Sequence, residues 1–486
     1  MRSVHISASL YRCLSIVRAE KPRPGAASNA FGLCDRGVVA GWSSAIIKKA
    51  RNLIDSGGQS MKSVALKLVH DRISSLPDSV LCKILSFLPT DNAVATSILS
   101  SRWRHVWTSL HTLLFDATVC IRQGDFTDAT MEMFEMFVIS VFLRTAPSNV
   151  QKFTLHSYRV SGSGRLKEWV SSAVMRDVRE LELNLENQQR LELPESIYSC
   201  RSLQVLKLDS DFDIAVPGSG ICFPNVKFLR VSLQYPENQL TEKLFASCPS
   251  IEEMWLKVYL KYDGPATNFI ISSSTLKRFY WTVLVDDYNF AFNNCEHKCI
   301  IMAPLIQILH VVDDLMVSYE VHDLQFLQTV NVGIFFPDWS VLNPWEAVQL
   351  VNAVLNCKNL TLSSGVILAL ERANLSVLPS VPQLTHFEVH IGETGWRALP
   401  LILTSAPLLE QFVLVKECWV DARDPKFGWM ENGCVPQCLA QHVKEIEIQG
   451  VEDVEDDVKL LEFFMKHCLV LQTMIIRCKR TVTNKK

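Results

Sequence analysis

The sequence predicts an α/β chain in which a three-helix unit precedes an irregular series of strand-bearing repeats, closed by a small C-terminal unit. Three observations carry this expectation. Between Asp71 and Trp107 apolar residues recur at helical spacing, in short runs punctuated by Pro77 and Pro89. From Val150 onward an apolar triplet at i, i+3 and i+5 returns again and again. Beyond residue 426 the same triplet flanks a helical stretch, reading as strand, helix, strand.

Composition narrows the function classes. At roughly 100–200 residues per domain, 486 residues suffice for several folded units. A formal charge of -3 supplies no counterion-releasing surface, so generic nucleic-acid binding is not expected. The apolar run around Phe137 to Leu143 falls well short of the about 20 residues that cross a bilayer, so no membrane association is expected. The 15 cysteines are odd in number and sparse beside the roughly 8–10% of disulfide scaffolds. With no secretory segment ahead of them, they read as reduced, packed thiols of a nuclear or cytoplasmic protein.

Residues 1–70 form an extension that is expected to be disordered. Up to Asp55 its Lys and Arg outnumber Glu20, Asp35 and Asp55, with no sustained apolar period. That composition fits a transit peptide, a disordered tail, or an over-extended start ahead of Met61. The remaining boundaries are 71–115 for the helical unit, 116–425 for a capping helix and the repeats, 426–478 for the C-terminal unit, and 479–486 for a basic tail.

In the helical unit, Asp78 and Ser79 can cap a helix after Pro77, with Val80, Leu81, Ile84, Leu85 and Leu88 as its stripe. Thr90 and Asp91 start a second helix carrying Val94 and Leu99. Ser100 or Ser101 can cap a third, which sets Trp103 and Trp107 on one face. A segment this small is near the lower limit for folding alone, so its apolar faces need either the rest of the chain or a partner.

The string resembles an F-box, in the form found in plant F-box/FBD/LRR proteins. The match runs through Leu76-Pro77-Asp78, Ile84-Leu85, Phe87-Leu88-Pro89-Thr90, Ala93-Val94, Thr96-Ser97, Leu99-Ser100, Arg102-Trp103-Arg104 and Trp107. The resemblance implies docking on the Skp-type adaptor of an SCF ubiquitin ligase, and through it on a cullin-RING core. The Leu-Pro pair, the first-helix aliphatics and the third-helix Trp are implied as the contact. Leu76, Leu81, Ile84, Leu85 and Trp103 are thus expected as anchors, with Pro77, Leu88, Pro89, Val94, Leu99 and Trp107 beside them. Each large aliphatic fully buried stabilises by about 1.5–3 kcal/mol, enough for a few anchors to hold a helix-in-groove contact.

The triplet occurs at Val150/Phe153/Leu155, Val178/Leu181/Leu183, Leu203/Leu206/Leu208, Val226/Leu229/Val231, Ile251/Met254/Leu256 and Leu276/Phe279/Trp281. Further copies begin at Leu327, Leu384, Leu409, Val443 and Leu471, with degenerate ones near Leu305/Ile308 and Leu360/Leu362. Starts from 150 to 276 are 28, 25, 23, 25 and 25 residues apart, close to the about 20–29 of leucine-rich repeats. Such repeats imply a horseshoe-like arc of strands whose edges need covering at both ends. Phe134, Phe137, Val138, Val141 and Phe142 are expected on a capping helix, and Trp169 with Val170 in the core of a later one.

Cys200, Cys248, Cys357 and Cys468 recur near one repeat phase, as buried structural thiols do. The compact run Cys295-Glu296-His297-Lys298-Cys299 reads as a loop, without the second pair a zinc site needs. Residues from Val435-Pro436 through Cys438-Leu439, Val443 to Ile448, Gly450, Leu460 to Phe464 and Leu471 to Ile476 resemble the FBD module that closes many of these plant proteins. Its expected role is a C-terminal cap. Glu452, Asp453, Glu455, Asp456 and Asp457 read as a solvated acidic run at a helix start.

No phosphate-cradling glycine loop, G-x-S-x-G turn or H-E-x-x-H helix occurs. His386 and His390 lie in a strand pattern, as paired surface histidines. No catalytic residue, metal or cofactor is expected. The resemblance implies a substrate-recognition subunit of the ligase; a repeat scaffold without ligase function, or an unrecognised hydrolase, are the alternatives. Strand alternation places Phe228, Arg230, Trp255, Lys257, Arg278 and Tyr280 on the open face of three adjacent repeats, where an unknown protein substrate is expected to bind. A loop from Asp286 to Cys299 covering that face is the competing expectation.

Overall fold

The computed structural model describes residues 73–479, apart from residue 74 and the stretches 121–126, 146–149, 159, 187–189, 215–221, 262–264, 287–296, 314–316, 323, 335–343, 374–379, 393, 418–434 and 453–454. The expectations for residues 1–70, the tail beyond Lys479, Cys295-Glu296 and the covering loop lie outside the described residues. Two compact units divide between residues 188 and 189.

In the first unit, α1 (Asp78–Leu85), α2 (Thr90–Ala95), a 3-10 turn at Thr96–Ile98 and α3 (Trp103–Val106) are followed by β1 (Thr112–Asp116) and α4 (Ala117–Cys120). Then come α5 (Asp128–Arg144), β2 (Lys152–Ser157), α6 (Ser163–Val174) and β3 (Glu180–Leu185). Pro77 and Pro89 stand immediately before α1 and α2, where a fixed φ and a missing N–H cost nothing. Asp78 does not cap α1 with its side chain. Its carboxylate instead accepts from Arg102 at 2.6 Å, because a charged fork is a stronger donor than a backbone N–H.

Strands β1, β2 and β3 run parallel with their apolar rows in register: Leu113 faces Phe153 and Leu181, and Phe115 faces Leu155 and Leu183. β1 is an additional repeat strand that the triplet search passed over, although Leu110/Leu113/Phe115 has the same spacing and is buried. Helix α5 packs where the cap is expected. Phe115 meets Phe137 and Phe153 edge-on at 5.9 Å, and Trp169 and Val170 are core.

The second unit begins with β4 (Leu191–Glu192), β5 (Val205–Asp213), β6 (Phe228–Gln234), α7 (Leu240–Ser247), β7 (Glu253–Lys261) and β8 (Asn268–Ser272). It continues with β9 (Arg278–Asp286), β10 (His297–Met302), β11 (Ile308–Asp313), β12 (Val317–His322), β13 (Thr329–Gly333), α8 (Pro344–Val354), β14 (Asn359–Leu362) and α9 (Ser364–Arg372). β15 (His386–Ile391), α10 (Leu399–Ser405), β16 (Gln411–Lys416), α11 (Gln437–Gln441), β17 (Glu445–Val451), α12 (Glu455–His467) and β18 (Thr473–Cys478) complete it.

The main sheet of this unit is open, with order β5-β6-β7-β9-β11-β13-β14-β15-β16-β17-β18. Its described pairs from β5 to β18 are parallel. The middle residue of each triplet makes one continuous row: Leu206, Leu229, Met254, Phe279, Leu309, Val330, Leu360, Phe387, Phe412, Ile446 and Met474. All but Met474 are buried. At about 25 cal/mol per Å² of apolar area removed from water, this row and its two neighbours dominate the cohesion of the unit.

Four expectations about the repeats are corrected. The degenerate copy near Leu305/Ile308 is displaced by one residue: the buried triplet is Ile306/Leu309/Val311, and Leu305 is exposed. A one-residue slip in a strand exchanges the faces, so burial decides the register. Cys357 is itself the first member of the triplet Cys357/Leu360/Leu362, whereas Cys200, Cys248 and Cys468 precede theirs by three residues. His297 and Cys299 lie in a strand, β10, with both side chains buried. Finally, β18 is the terminal strand and leaves Ile475 and Ile476 exposed. Among the described residues the C-terminal unit extends the sheet instead of sealing it.

β8, β10 and β12 form a second parallel sheet, in the order β12-β10-β8. Here the return segments of the repeats are strands. The indole of Trp281 donates to the Tyr319 hydroxyl at 3.0 Å, and that hydroxyl donates to buried Asp313 at 2.6 Å. A buried chain of satisfied polar groups thereby fixes the register of one sheet against the other.

The acidic run is not uniformly solvated. Asp457 is buried, pairs with Lys416 and accepts from the Glu452 backbone N–H at 2.6 Å. Gly450, with φ +79°, makes the bulge between β17 and β18 that this arrangement needs. A Cβ there would lie 2.5 Å from the Lys416 carbonyl oxygen. Gly450→Ala is therefore expected to destabilise the second unit by roughly 1–3 kcal/mol. Urea unfolding of the two chains checks this, and superimposable curves would contradict it.

Candidate functional site

The helical unit divides its apolar residues between cohesion and surface. Leu81, Leu85, Trp103 and Trp107 are buried inside it and hold the helices to one another. Leu76, Ile84, Leu88, Pro89, Val94 and Leu99 are half-buried, and Pro77 is exposed. Val80, Phe87 and Ile98 are exposed apolar residues on the same unit, Phe87 at 71%. Those three were not singled out as contacts, although Val80, Ile84 and Phe87 follow helical spacing along α1 and the turn after it.

Arg102 sets the geometry here. Its guanidinium bonds Asp78 and also donates to the Leu76 carbonyl, so the Leu76-Pro77 pair is tied to the start of α3. Thr90 accepts from the Leu114 N–H at 2.8 Å, which joins α2 to β1. Between α1 and α3 lies a cavity of about 580 Å³ bordered by Cys82, Lys83, Arg102, His105 and His111. Cys82 donates to the Val106 carbonyl at 3.3 Å, and burial holds its thiol above the ordinary value.

All six residues expected on the open face of the repeats lie there, half-buried. Register places Lys207, Arg230, Trp255, Tyr280, His310 and Asn331 in one row across adjacent strands. Phe228 and Arg278 occupy the row on one side, Lys257 the row on the other. Within the central row the side chains stack. The Arg230 guanidinium sits 4.9 Å from the Trp255 ring centre, Trp255 lies flat on Tyr280 at 3.8 Å and 14°, and Tyr280 approaches His310 at 5.8 Å. Glu253 anchors the stack, accepting from the Trp255 indole at 2.8 Å and from Arg278 at 2.5 Å. Asp209 pairs with Arg230 at 3.4 Å. Burial, with Glu253 adding to it, pushes the Tyr280 phenol up, and burial pushes His310 down, so both are neutral at pH 7.

Farther along the same face, His386 and His390 stand on one side of β15, as the strand pattern predicts. His390 Nδ1 bonds Glu417 at 3.0 Å, and its Nε2 bonds Glu388 at 3.1 Å. Two carboxylate partners need both ring nitrogens as donors, which only the imidazolium supplies. Ser364 donates to Glu417 at 2.5 Å. The Glu417 hydrogen bond holds His390 above its ordinary 6.5, and the reciprocal bond holds Glu417 below its ordinary 4.5.

Because the folded His390 pKa is raised, its stabilisation is complete below 6.5 and is lost as pH rises through the folded value. Glu417 behaves oppositely: its contribution is present above 4.5 and is lost as pH falls through its lowered value. The expected outcome is a urea midpoint that declines as pH rises from 6.5 in the wild type and stays flatter in His390→Gln. Parallel profiles for the two would contradict the pairing.

Three family models match. The F-box domain covers residues 73–115, the LRR repeats of "FBD-associated F-box protein At5g56370" cover 166–332, and FBD covers 431–476. The chain is similar to Arabidopsis thaliana proteins over most of its length. It is 26% identical over 425 residues to "Probable FBD-associated F-box protein At1g32375", covering 86% of this chain and 94% of that protein. It is 25% identical to "F-box/FBD/LRR-repeat protein At5g56420", covering 85% and 93%. With "F-box/FBD/LRR-repeat protein At2g04230" it shares 28% identity, covering 80% and 85%.

Proposed function

We propose that this chain, which carries an F-box, leucine-rich repeats and an FBD module in that order, is a substrate-recognition subunit of an SCF-type ubiquitin ligase. In this reading the F-box docks on a Skp-type adaptor and through it on a cullin-RING core, and the repeats present a target protein. The observation that carries it is the exposure of Pro77, Val80, Phe87 and Ile98 on one helical unit whose core is already filled by Leu81, Leu85, Trp103 and Trp107. Apolar residues left outside a satisfied core support a partner interface.

The reading gives the chain no chemistry of its own. Its buried thiols favour this role over a nucleophile, since burial pushes Cys248, Cys357 and Cys468 up to about 12, far from the thiolate a nucleophile needs. Ubiquitin transfer then falls to the other subunits.

The adaptor contact is proposed at Leu76-Pro77 with Val80, Ile84, Phe87, Leu88 and Ile98, and with half-buried Pro89, Val94 and Leu99 beside them. Leu81, Leu85, Trp103 and Trp107 support it from within, so truncating them tests folding before it tests docking. Replacing Leu76 and Pro77 together by Ala is expected to abolish co-purification of the adaptor while leaving the urea midpoint of the second unit unchanged. Wild-type recovery of the adaptor would rule out this surface.

A further inference from the structure

We infer that the ladder Lys207-Arg230-Trp255-Tyr280-His310 binds an extended acidic segment of a partner protein, lying across the strands. This rests on the receptor reading above and names the chemistry of its target.

The stack uses up its own ring faces. Arg230 covers one side of Trp255 and Tyr280 the other, while Tyr280 is closed by Trp255 and His310. What a ligand meets is therefore ring edges, which carry the positive end of the aromatic quadrupole, together with the N–H and O–H groups of Arg230, Tyr280 and His310. The ring edges and Arg230 favour an acceptor, and Tyr280 and His310 can each donate one hydrogen bond to it. Both faces of Trp255 and of Tyr280 are covered, so the centre of the stack offers no platform of the kind that holds single-stranded nucleic acid.

Charge points the same way. On the open side of β5 to β9, the cations Lys207, Arg230, Lys257, Lys261 and Arg278 stand against Asp209, Asp211 and Glu253, with Asp286 opposite Lys261 in register. Three of those acids are already committed to cations: Glu253 to Arg278, Asp209 to Arg230 and Asp211 to Arg190, pairs that also engage Arg230 and Arg278. Lys257 and Lys261 lie over ring faces, Tyr259 at 4.7 Å and Tyr235 at 4.6 Å, and Lys257, opposite Thr282 in register, adds its charge beside the Trp255 row.

Dimensions fit an extended ligand. Four strand spacings of about 4.8 Å separate Lys207 from His310, roughly 19 Å, which an extended chain spans with about six residues. A ligand in that orientation passes Lys207, Arg230, Tyr280 and His310 along the row, with Lys257 on β7 beside the Trp255 edge.

The full chain, purified with its adaptor, would be titrated with a short fluorescein-labelled Glu-Ser repeat peptide, its Gln-Ser counterpart and an oligothymidylate. Binding of the Glu-Ser peptide that weakens with added salt is expected, with about a tenfold loss in Arg230→Ala/Lys257→Ala and a comparable loss in the single surface reversal Lys257→Glu. Urea midpoints for each variant identify any that misfold. Equal binding of both peptides, preference for the oligonucleotide, no binding of any probe, or unchanged affinity in a folded variant would overturn the proposal. Adaptor recovery from the same samples reports on the receptor reading separately: its loss in the wild type would refute that reading, while its retention with an inert ladder would refute only the ladder.

Discussion

The second unit depends on one constraint, the two-residue alternation of a parallel strand whose one face must be covered. Because the buried row from Leu206 to Ile446 is continuous, the residues between its members are forced into equally continuous rows on the other face. The ladder through Trp255 and the His390 cluster are both consequences of that alternation. Neither could be assembled if a strand slipped by one residue, since the slip would send the cations inward. Cohesion and display are thus the same geometric fact seen from two sides.

The helical unit solves a different problem. It is too small to bury all its apolar residues, and it spends the best of them on itself: Leu81, Leu85, Trp103 and Trp107 pack inward. Continuity with β1, which pairs in register with β2, supplies the remaining support. The Arg102 bonds to Asp78 and Leu76 then hold the chain entering α1 in a defined place. That division lets a short helical surface stay partly apolar without losing its own fold.

Much of this was legible in the sequence because the triplet is a direct record of which side chains turn inward. The open-face residues from Phe228 to Tyr280 followed from the same arithmetic. What was less legible has physical causes. β1 escaped because α5 separates it from the next repeat, which breaks the interval although not the triplet. The phase at Ile306 was ambiguous because Leu305 and Ile308 are also apolar, and only burial distinguishes the two faces. Strands β8, β10 and β12 were hidden because nothing in local spacing says whether a return segment will be helix or strand. Asp457 looks like its acidic neighbours until Lys416, from a distant strand, arrives beside it. Stacking in the ladder likewise depends on register between strands, which no single repeat contains.

Receptor function, as proposed, needs both an adaptor-docking surface and a display face, and docking comes first. Gel filtration of the purified full chain mixed with a Skp-type adaptor and its cullin-RING core tests it most directly. Co-elution of all components as a single saturable complex is the predicted result. Elution of the chain apart from the adaptor at every concentration tried would contradict the proposed docking.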